Sequence, residues 1–240
     1  MTLRVANWNV EWATPRSRRT PEILRRIAGC APELLCLTES DHQLLAREGY
    51  TVCSQADYGY PLRARRRKVM LWSREPWEQV DDVGIDTMPP GRFISGVTQT
   101  SLGPVTVIGV CIPWFGSRTE ARRGQARRRP WKDHAQYLAG LAKILRRGAP
   151  ERRVVMGDFN QVVGSGSRAP AKLQSALGQV FPAGMTIATS SVAFRGRKSI
   201  DHIALSDDLA VERTCVISNS DGERTLSDHF GVAADLSVLR

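Results

Sequence analysis

A chain of 240 residues, 42% of them hydrophobic and 24% charged, has room for one substantial core, and this balance excludes a disordered or fibrous polymer. No apolar run approaches the roughly 18 to 20 residues that cross a bilayer, and Met1-Thr2-Leu3-Arg4-Val5 lacks the apolar stretch of a secretory signal. A single domain over residues 1–240, monomeric and cytoplasmic, is therefore expected. The net charge of +10 and pI near 10.0 suit a polyanionic partner, nucleic acid or an anionic membrane surface. The basic residues divide into 5 Lys and 29 Arg, however, a skew that G- and C-rich codons also produce. Cys30, Cys36, Cys53, Cys111 and Cys215 form no CxxC pair and read as buried, reduced thiols.

In chain order, Leu3 to Trp8 has a buried-strand pattern and ends in the polar, aromatic stretch Asn7-Trp8-Asn9-Val10-Glu11-Trp12. Thr20-Pro21-Glu22 supplies an N-cap, a proline for the first helical turn and an early acid, and Ile23, Leu24, Ile27 and Ala28 continue at helical spacing to about Gly29. The apolar run Leu34 to Leu37 stops at Thr38-Glu39-Ser40. Tyr50 to Cys53, Val69 to Trp72, Phe93 to Thr100 and Val105 to Ile112 follow as strands of an expected antiparallel meander. An amphipathic helix runs from Trp131 to near Gly148, and the buried strand Val154-Val155-Met156 closes on Gly157-Asp158-Phe159-Asn160. A helix near Ala171 to Leu177 then precedes strands at Met185 to Ala188, Ile200 to Leu205, Ala210 to Ile217 and Gly231 to Leu236. Helices interleaved only in places predict an α+β fold, a four-layer α/β sandwich of two packed mixed sheets flanked by helices.

The chemistry sits at strand ends. Asn9 and Glu11, Glu39, Asp158 and Asn160, Asp201 and His202, and Asp228 and His229 each terminate an apolar run. Mg²⁺ or Mn²⁺ takes oxygen ligands, which Glu39 and Asp228 supply. Hydrolysis of a phosphate ester needs a positioned water, a base and donors to the phosphoryl oxygens, tasks that fit Asp158, Asn160 and His229. His202 follows Asp201 directly, so on a strand it faces the other way and reads as a core histidine. His42 and His134 are assigned no catalytic part, and Trp8 and Trp12 read as packing.

In this order and spacing, Asn7-Trp8-Asn9-Val10-Glu11, Glu39, Gly157-Asp158-Phe159-Asn160, Ser199-Ile200-Asp201-His202-Ile203 and Ser227-Asp228-His229-Phe230 make the chain resemble the endonuclease/exonuclease/phosphatase superfamily along nearly its whole length. That superfamily is DNase I-like and includes abasic-site endonucleases, inositol-polyphosphate 5-phosphatases and neutral sphingomyelinases. The resemblance implies Glu39 as principal metal ligand, Asp228 as a second, and Asn9 with Glu11 completing the shells around the ion. It implies that Asp158 orients or deprotonates water, that Asn160 donates to phosphate, and that Asp201 partners His229, with either Asp158 or His229 as the base. One stretch departs: where family members commonly carry Tyr or His, this chain reads Val110-Cys111-Ile112-Pro113-Trp114, leaving Trp114 and Arg118 as substitutes for the missing phosphate contact.

Basic clusters lie at Arg63 to Lys68, Arg118 to Lys132 and Arg195 to Lys198, the last with Arg195 and Arg197 just ahead of Asp201. Phosphate contacts need only positive charge, so these clusters favour a nucleic-acid backbone as substrate. The expected activity is a Mg²⁺- or Mn²⁺-dependent phosphodiesterase or nuclease. The alternatives are a phosphatase or phospholipid-type phosphodiesterase on a small or lipid phosphate ester, and a non-enzymatic nucleic-acid-binding protein.

Overall fold

The computed structural model describes residues 1–45, 49–118, 129–147 and 152–239. In chain order the elements are β1 (Leu3–Ala13), α1 (Thr20–Cys30), β2 (Leu34–Asp41), β3 (Tyr50–Cys53), β4 (Arg66–Ser73), β5 (Trp77–Asp81), β6 (Phe93–Thr100) and β7 (Gly103–Cys111). They continue with α2 (Lys132–Leu145), β8 (Arg153–Asp158), α3 (Ala171–Val180), β9 (Thr186–Ile187), β10 (Ala193–Phe194), β11 (Arg197–Lys198), β12 (Asp201–Leu205), β13 (Leu209–Ile217) and β14 (Gly231–Val238). One six-stranded sheet has the order β13-β14-β1-β2-β4-β3, the other β5-β6-β7-β8-β12-β9, and β10 with β11 forms a small separate ribbon. Both large sheets are mixed: β1 is parallel to β2 and antiparallel to β14, and β7 is parallel to β8 and antiparallel to β6. The β1–β2 crossover carries α1 and the β7–β8 crossover carries α2, as parallel neighbours require.

The period-two alternation of strand side chains explains the layering. Val5, Leu34, Cys36, Val69 and Leu71 face the second sheet and meet Val107, Val154, Met156 and Ile203 there. Their neighbours in sequence, Ala6, Trp8, Leu35, Leu37 and Met70, face outward beneath Ile23 and Ile27 of α1. On the far side, Tyr137, Leu138 and Leu141 of α2 and Leu177 of α3 cover Ile108, Val110 and Val155. Strands covered on both faces are continuously apolar, which is why the sequence shows runs rather than alternation. The sandwich thus has four layers, α1, sheet, sheet and the α2/α3 pair. Each fully buried aliphatic side chain in it contributes about 1.5–3 kcal/mol.

Several expectations change. Thr20 is not the N-cap of α1; Arg19 is, while the Thr20 hydroxyl donates to Thr14 O at 2.6 Å. The four middle strands are not one meander, because β3 and β4 lie in the first sheet and β6 and β7 in the second. Cys36 and Cys111 are buried, whereas Cys30, Cys53 and Cys215 are only partly so. α2 ends at Leu145; Gly148, where the sequence placed its end, lies outside the described residues. No helix among the described residues is long and apolar enough to cross a membrane.

Candidate active site

The central strands of the two sheets face each other through β1 and β8, and a buried asparagine links them: Asn7 Nδ2 donates to Gly157 O at 2.9 Å. Two residues on, at the same edge of the sandwich, Asn9 Nδ2 donates to Asp158 Oδ2 at 3.1 Å. Asp158 is 2% exposed and receives two further bonds, from Asn160 N–H at Oδ1 (2.8 Å) and Asn160 Nδ2 at Oδ2 (2.9 Å). Asn160 Nδ2 spends its other proton on Ile112 O at 2.9 Å. Both of its protons are engaged within the protein, so this geometry makes Asn160 a clamp on Asp158 rather than a free donor to phosphate. Glu39, near the end of β2, and Asn160, two residues past β8, both have φ of +51°, an uncommon left-handed conformation.

Register places the neighbours of Asp158. Asp201 of β12 pairs with it on one side and Cys111 of β7 on the other. The Asp201 backbone is fixed by Ser199, whose hydroxyl donates to Asp201 O (2.6 Å) and accepts from Asp201 N–H (3.1 Å). Asp201 Oδ2 accepts from His229 Nδ1 at 2.6 Å, while its buried Oδ1 has no partner among the described residues. The His229 segment is tied to β1 twice: Trp8 Nε1 donates to His229 O (2.9 Å), and Ser227 Oγ donates to Asn9 O (2.7 Å) while accepting from His229 N–H (3.2 Å). Trp8 is therefore packing that also fixes the His229 loop, and Ser227 joins strand to loop. Donor atoms of Asp158, Asp201 and His229 lie within 4.8 Å of one another.

The electrostatics follow from this crowding. Burial raises Asp158 to about 7, with the neighbouring Asp201 and Glu39 adding to it and His229 opposing. For His229 burial alone would lower the pKa, but Asp201 and Asp158 outweigh it and hold the ring protonated up to about 10. His202 behaves as the alternation predicts: buried against Phe159, it is pushed down to about 4 by burial, with ring nitrogens at 3.2 Å from Thr189 Oγ1 and from Gln161 O. His134 is also buried, its pKa lowered, with Nδ1 at 2.8 Å from Pro113 O.

The oxygen donors expected around a metal ion divide. Glu39 sits opposite Lys68 across β2 and β4, their side chains 2.5 Å apart. Lys68 also lies 4.9 Å from the Trp12 ring centre, and Trp12 stacks on Tyr58 at 5.7 Å. In the sequence Lys68 is only the last member of the basic cluster from Arg63, directly ahead of the apolar run Val69 to Trp72. Asp228 is largely exposed, with Oδ1 3.9 Å from His229 Nε2. Glu11 is not brought in: its carboxylate pairs with Arg19 at 2.7 Å and is half exposed. Cys111 is 1% exposed, and burial pushes its thiol to about 12, so the position that commonly carries Tyr or His holds an inert core group here.

Around the mouth, Arg197, Lys198, Asp228, His229 and Phe230 line a cleft of about 100 Å³. Arg195 stacks on Phe194, its guanidinium carbon 5.2 Å from the ring centre. Arg118 N–H donates to Tyr60 Oη at 3.1 Å. Most of the cluster from Arg118 to Lys132 lies outside the described residues.

A family model described as the Endonuclease/Exonuclease/phosphatase family matches residues 6–229. No curated protein matches the chain. Among solved structures, a 3' phosphatase NExo from Neisseria bound to product DNA hairpin is 20% identical, with a TM-score of 0.72 over 97% of this chain and 98% of that one. The human Nocturnin catalytic domain with bound sulfate anion is 18% identical, with a TM-score of 0.69 over 99% and 95%. D. rerio TDP2 complexed with single strand DNA product is 14% identical, with a TM-score of 0.67 over 99% of both chains. At these identities the likeness is one of fold.

Proposed function

Because this chain belongs to the endonuclease/exonuclease/phosphatase family and is a hydrolase of phosphate esters, we propose that it is a divalent-metal-dependent phosphodiesterase cutting nucleic-acid backbones by attack of an activated water. The observation that carries this is the buried Asp158, held by three donors, beside the Asp201–His229 pair, which itself lines a cleft rimmed by Arg197 and Lys198. Two neighbours of the same fold hold DNA products, a hairpin in the Neisseria structure and a single strand in that of D. rerio. Cationic side chains on such a rim contact phosphates without regard to sequence.

Asp158 and His229 take different parts. A His229 ring that stays protonated to about 10 is no base at neutral pH; its Nδ1 proton is held by Asp201, and Nε2 is left to donate to a phosphoryl oxygen. Asp158, near 7, is the group able to take a proton from water under the same conditions. Asn9 and Asn160 keep its carboxylate aimed, and Asn160 acts as a positioning residue.

The donor types fit a hard cation such as Mg²⁺ or Mn²⁺: Glu39, Asp228 and Asn9 offer oxygens, of which Glu39 Oε1 is shared with Lys68 and Asn9 Oδ1 with Glu11 N–H, while Nδ1 of His229 and one oxygen of Asp201 bond each other. When bound, such an ion supplies Lewis-acid stabilisation of the phosphoryl oxygens.

A substrate panel tests the reading: plasmid DNA, single-stranded RNA, an abasic duplex, inositol phosphates and sphingomyelin, each with Mg²⁺ and with EDTA. Cleavage of nucleic acid is expected, falling steeply with salt and abolished by EDTA. Hydrolysis confined to inositol phosphates or sphingomyelin, with no inhibition by excess DNA, would transfer the site to the small-molecule or lipid alternative. Activity surviving EDTA would remove the metal from the proposal.

A further inference from the structure

Beyond Ile112, whose carbonyl holds Asn160, the chain turns out of the sandwich and presents two adjacent aromatic side chains to solvent. Trp114 is 47% exposed and Phe115 52%. Their rings meet edge to face, 4.8 Å apart and inclined at 81°. The turn that carries them is braced by hydrogen bonds. Ser117 N–H donates to Trp114 O (2.9 Å), Trp131 N–H to Phe115 O (2.8 Å), and the buried His134 sits 2.8 Å from Pro113 O. Gly116 lets the Trp114 ring fold back on the turn, since a Cβ there would lie 2.5 Å from the indole. Beneath it the buried Arg92 guanidinium reaches the Ser117 hydroxyl at 3.5 Å.

Phe115 rests against Trp131, ring centres 5.9 Å apart, yet about half of each side chain of the Trp114–Phe115 pair stays exposed, which marks it as a contact surface. Its place decides the partner. Trp114 is two residues from Ile112, about 7 Å of extended backbone, and Ile112 is bonded to both Asp158 and Asn160, so the pair sits on the loop that leaves the Asp158 end of the sheet. Arg118 follows in the same loop, supplying the charge that tracks a phosphate backbone. We propose that the Trp114–Phe115 pair is a stacking platform for an unpaired nucleobase next to the scissile phosphate, selecting single-stranded or frayed nucleic acid over intact duplex. This rests on the nucleic-acid reading above. Only an unstacked base can present its face to these rings, and any base will serve, because every base has a π-face.

The test compares wild type, Trp114→Ala and Trp114→Phe on one deoxyoligonucleotide in three forms: single strand, blunt duplex and a single strand with abasic residues. Trp114→Ala should lower kcat/KM on the base-containing single strand about tenfold, leave the abasic strand within about twofold of wild type, and be largely rescued by Trp114→Phe. In EDTA, without turnover, the base-containing single strand should quench wild-type tryptophan fluorescence, and Trp114→Ala should lose that component. Equal losses on base-containing and abasic strands would make Trp114 merely structural and overturn the proposal. So would wild-type preference for blunt duplex, or a Trp114→Ala defect confined to binding anionic phospholipid vesicles. Quenching through Trp114 with no hydrolysis of any strand would sustain the platform and sink the phosphodiesterase reading. Cleavage equally unaffected by Trp114→Ala on every strand would do the reverse.

Discussion

Asp158→Asn is expected to lower kcat by about 10²–10⁴-fold, the range for removing a positioned general base, while the protein stays folded. The amide keeps the shape of the carboxylate, so Oδ1 can still accept from Asn9 and Asn160 where Asp158 Oδ2 does. Its new N–H₂, however, confronts Asn160 N–H, which now donates to Asp158 Oδ1 at 2.8 Å. That mismatch costs about 1–3 kcal/mol and is offset in part by removing a buried charge. A shift in Tm of only a few degrees follows for a chain of this size. The pH profile gives the second readout. Burial raises the Asp158 pKa to about 7, so the reactive carboxylate is depleted below that pH, and wild-type kcat/KM should climb through pH 7 and then level off. For stability the sign is opposite. The folded state holds the proton more tightly than the unfolded chain, so this group's contribution is present at low pH and is lost as pH rises towards about 7. Asp158→Asn should abolish the acid limb of activity and flatten this part of the stability curve together. An acid limb unchanged in the variant's residual activity would place the base elsewhere.

Candidate site residues are more legible in a sequence than strand pairing is, for a physical reason. Polar residues that end buried runs stand out against apolar neighbours, so Asn9, Glu39, Asp158, Asp201 and His229 were visible one by one. Strand order depends instead on contacts far apart along the chain: Leu3 pairs with Leu236, and Val5 with Leu34 in a parallel sense, and nothing local encodes either. β5 escaped notice because it is a mostly exposed edge strand, and β10 and β11 because each is two residues long. Side-chain partnership was equally hidden. Glu11 sits in the same motif as Asn9, yet Arg19 draws its carboxylate away. Lys68 sat within an arginine-rich stretch, yet it is the buried cation beside Glu39. No local signal marks the bond from Asn160 Nδ2 to the Ile112 carbonyl.

Gly157→Ala should destabilise the protein by about 3–5 kcal/mol, at the extreme of point-mutation effects. Gly157 has φ of +152°, a conformation glycine tolerates and alanine resists, and a Cβ there would lie 1.8 Å from Val110 O and 2.7 Å from Val110 C. The obstacle is backbone, not a side chain that can rotate away. Val110 pairs with Gly157 in the parallel β7–β8 ladder, His202 pairs with it from β12, and Asn7 donates to its carbonyl from the opposite sheet. Any relief must therefore shift β7 or β8. β7 leads directly into Ile112, whose N–H donates to Asp158 O (2.8 Å) and whose carbonyl anchors Asn160. A displacement of about 1 Å there costs on the order of 10²-fold in rate even in molecules that stay folded. The expected Tm drop is about 6–20 °C, at roughly 2–4 °C per kcal/mol. Gly178→Ala provides the contrast: inside α3, with nothing within 4 Å of the added Cβ, it should be neutral or stabilising by about 0.5–1 kcal/mol. Equal melting of the two variants would mean that the glycine before Asp158 is not held there by the close approach of β7. The contrast instead expected ties that glycine to the geometry that aims the base.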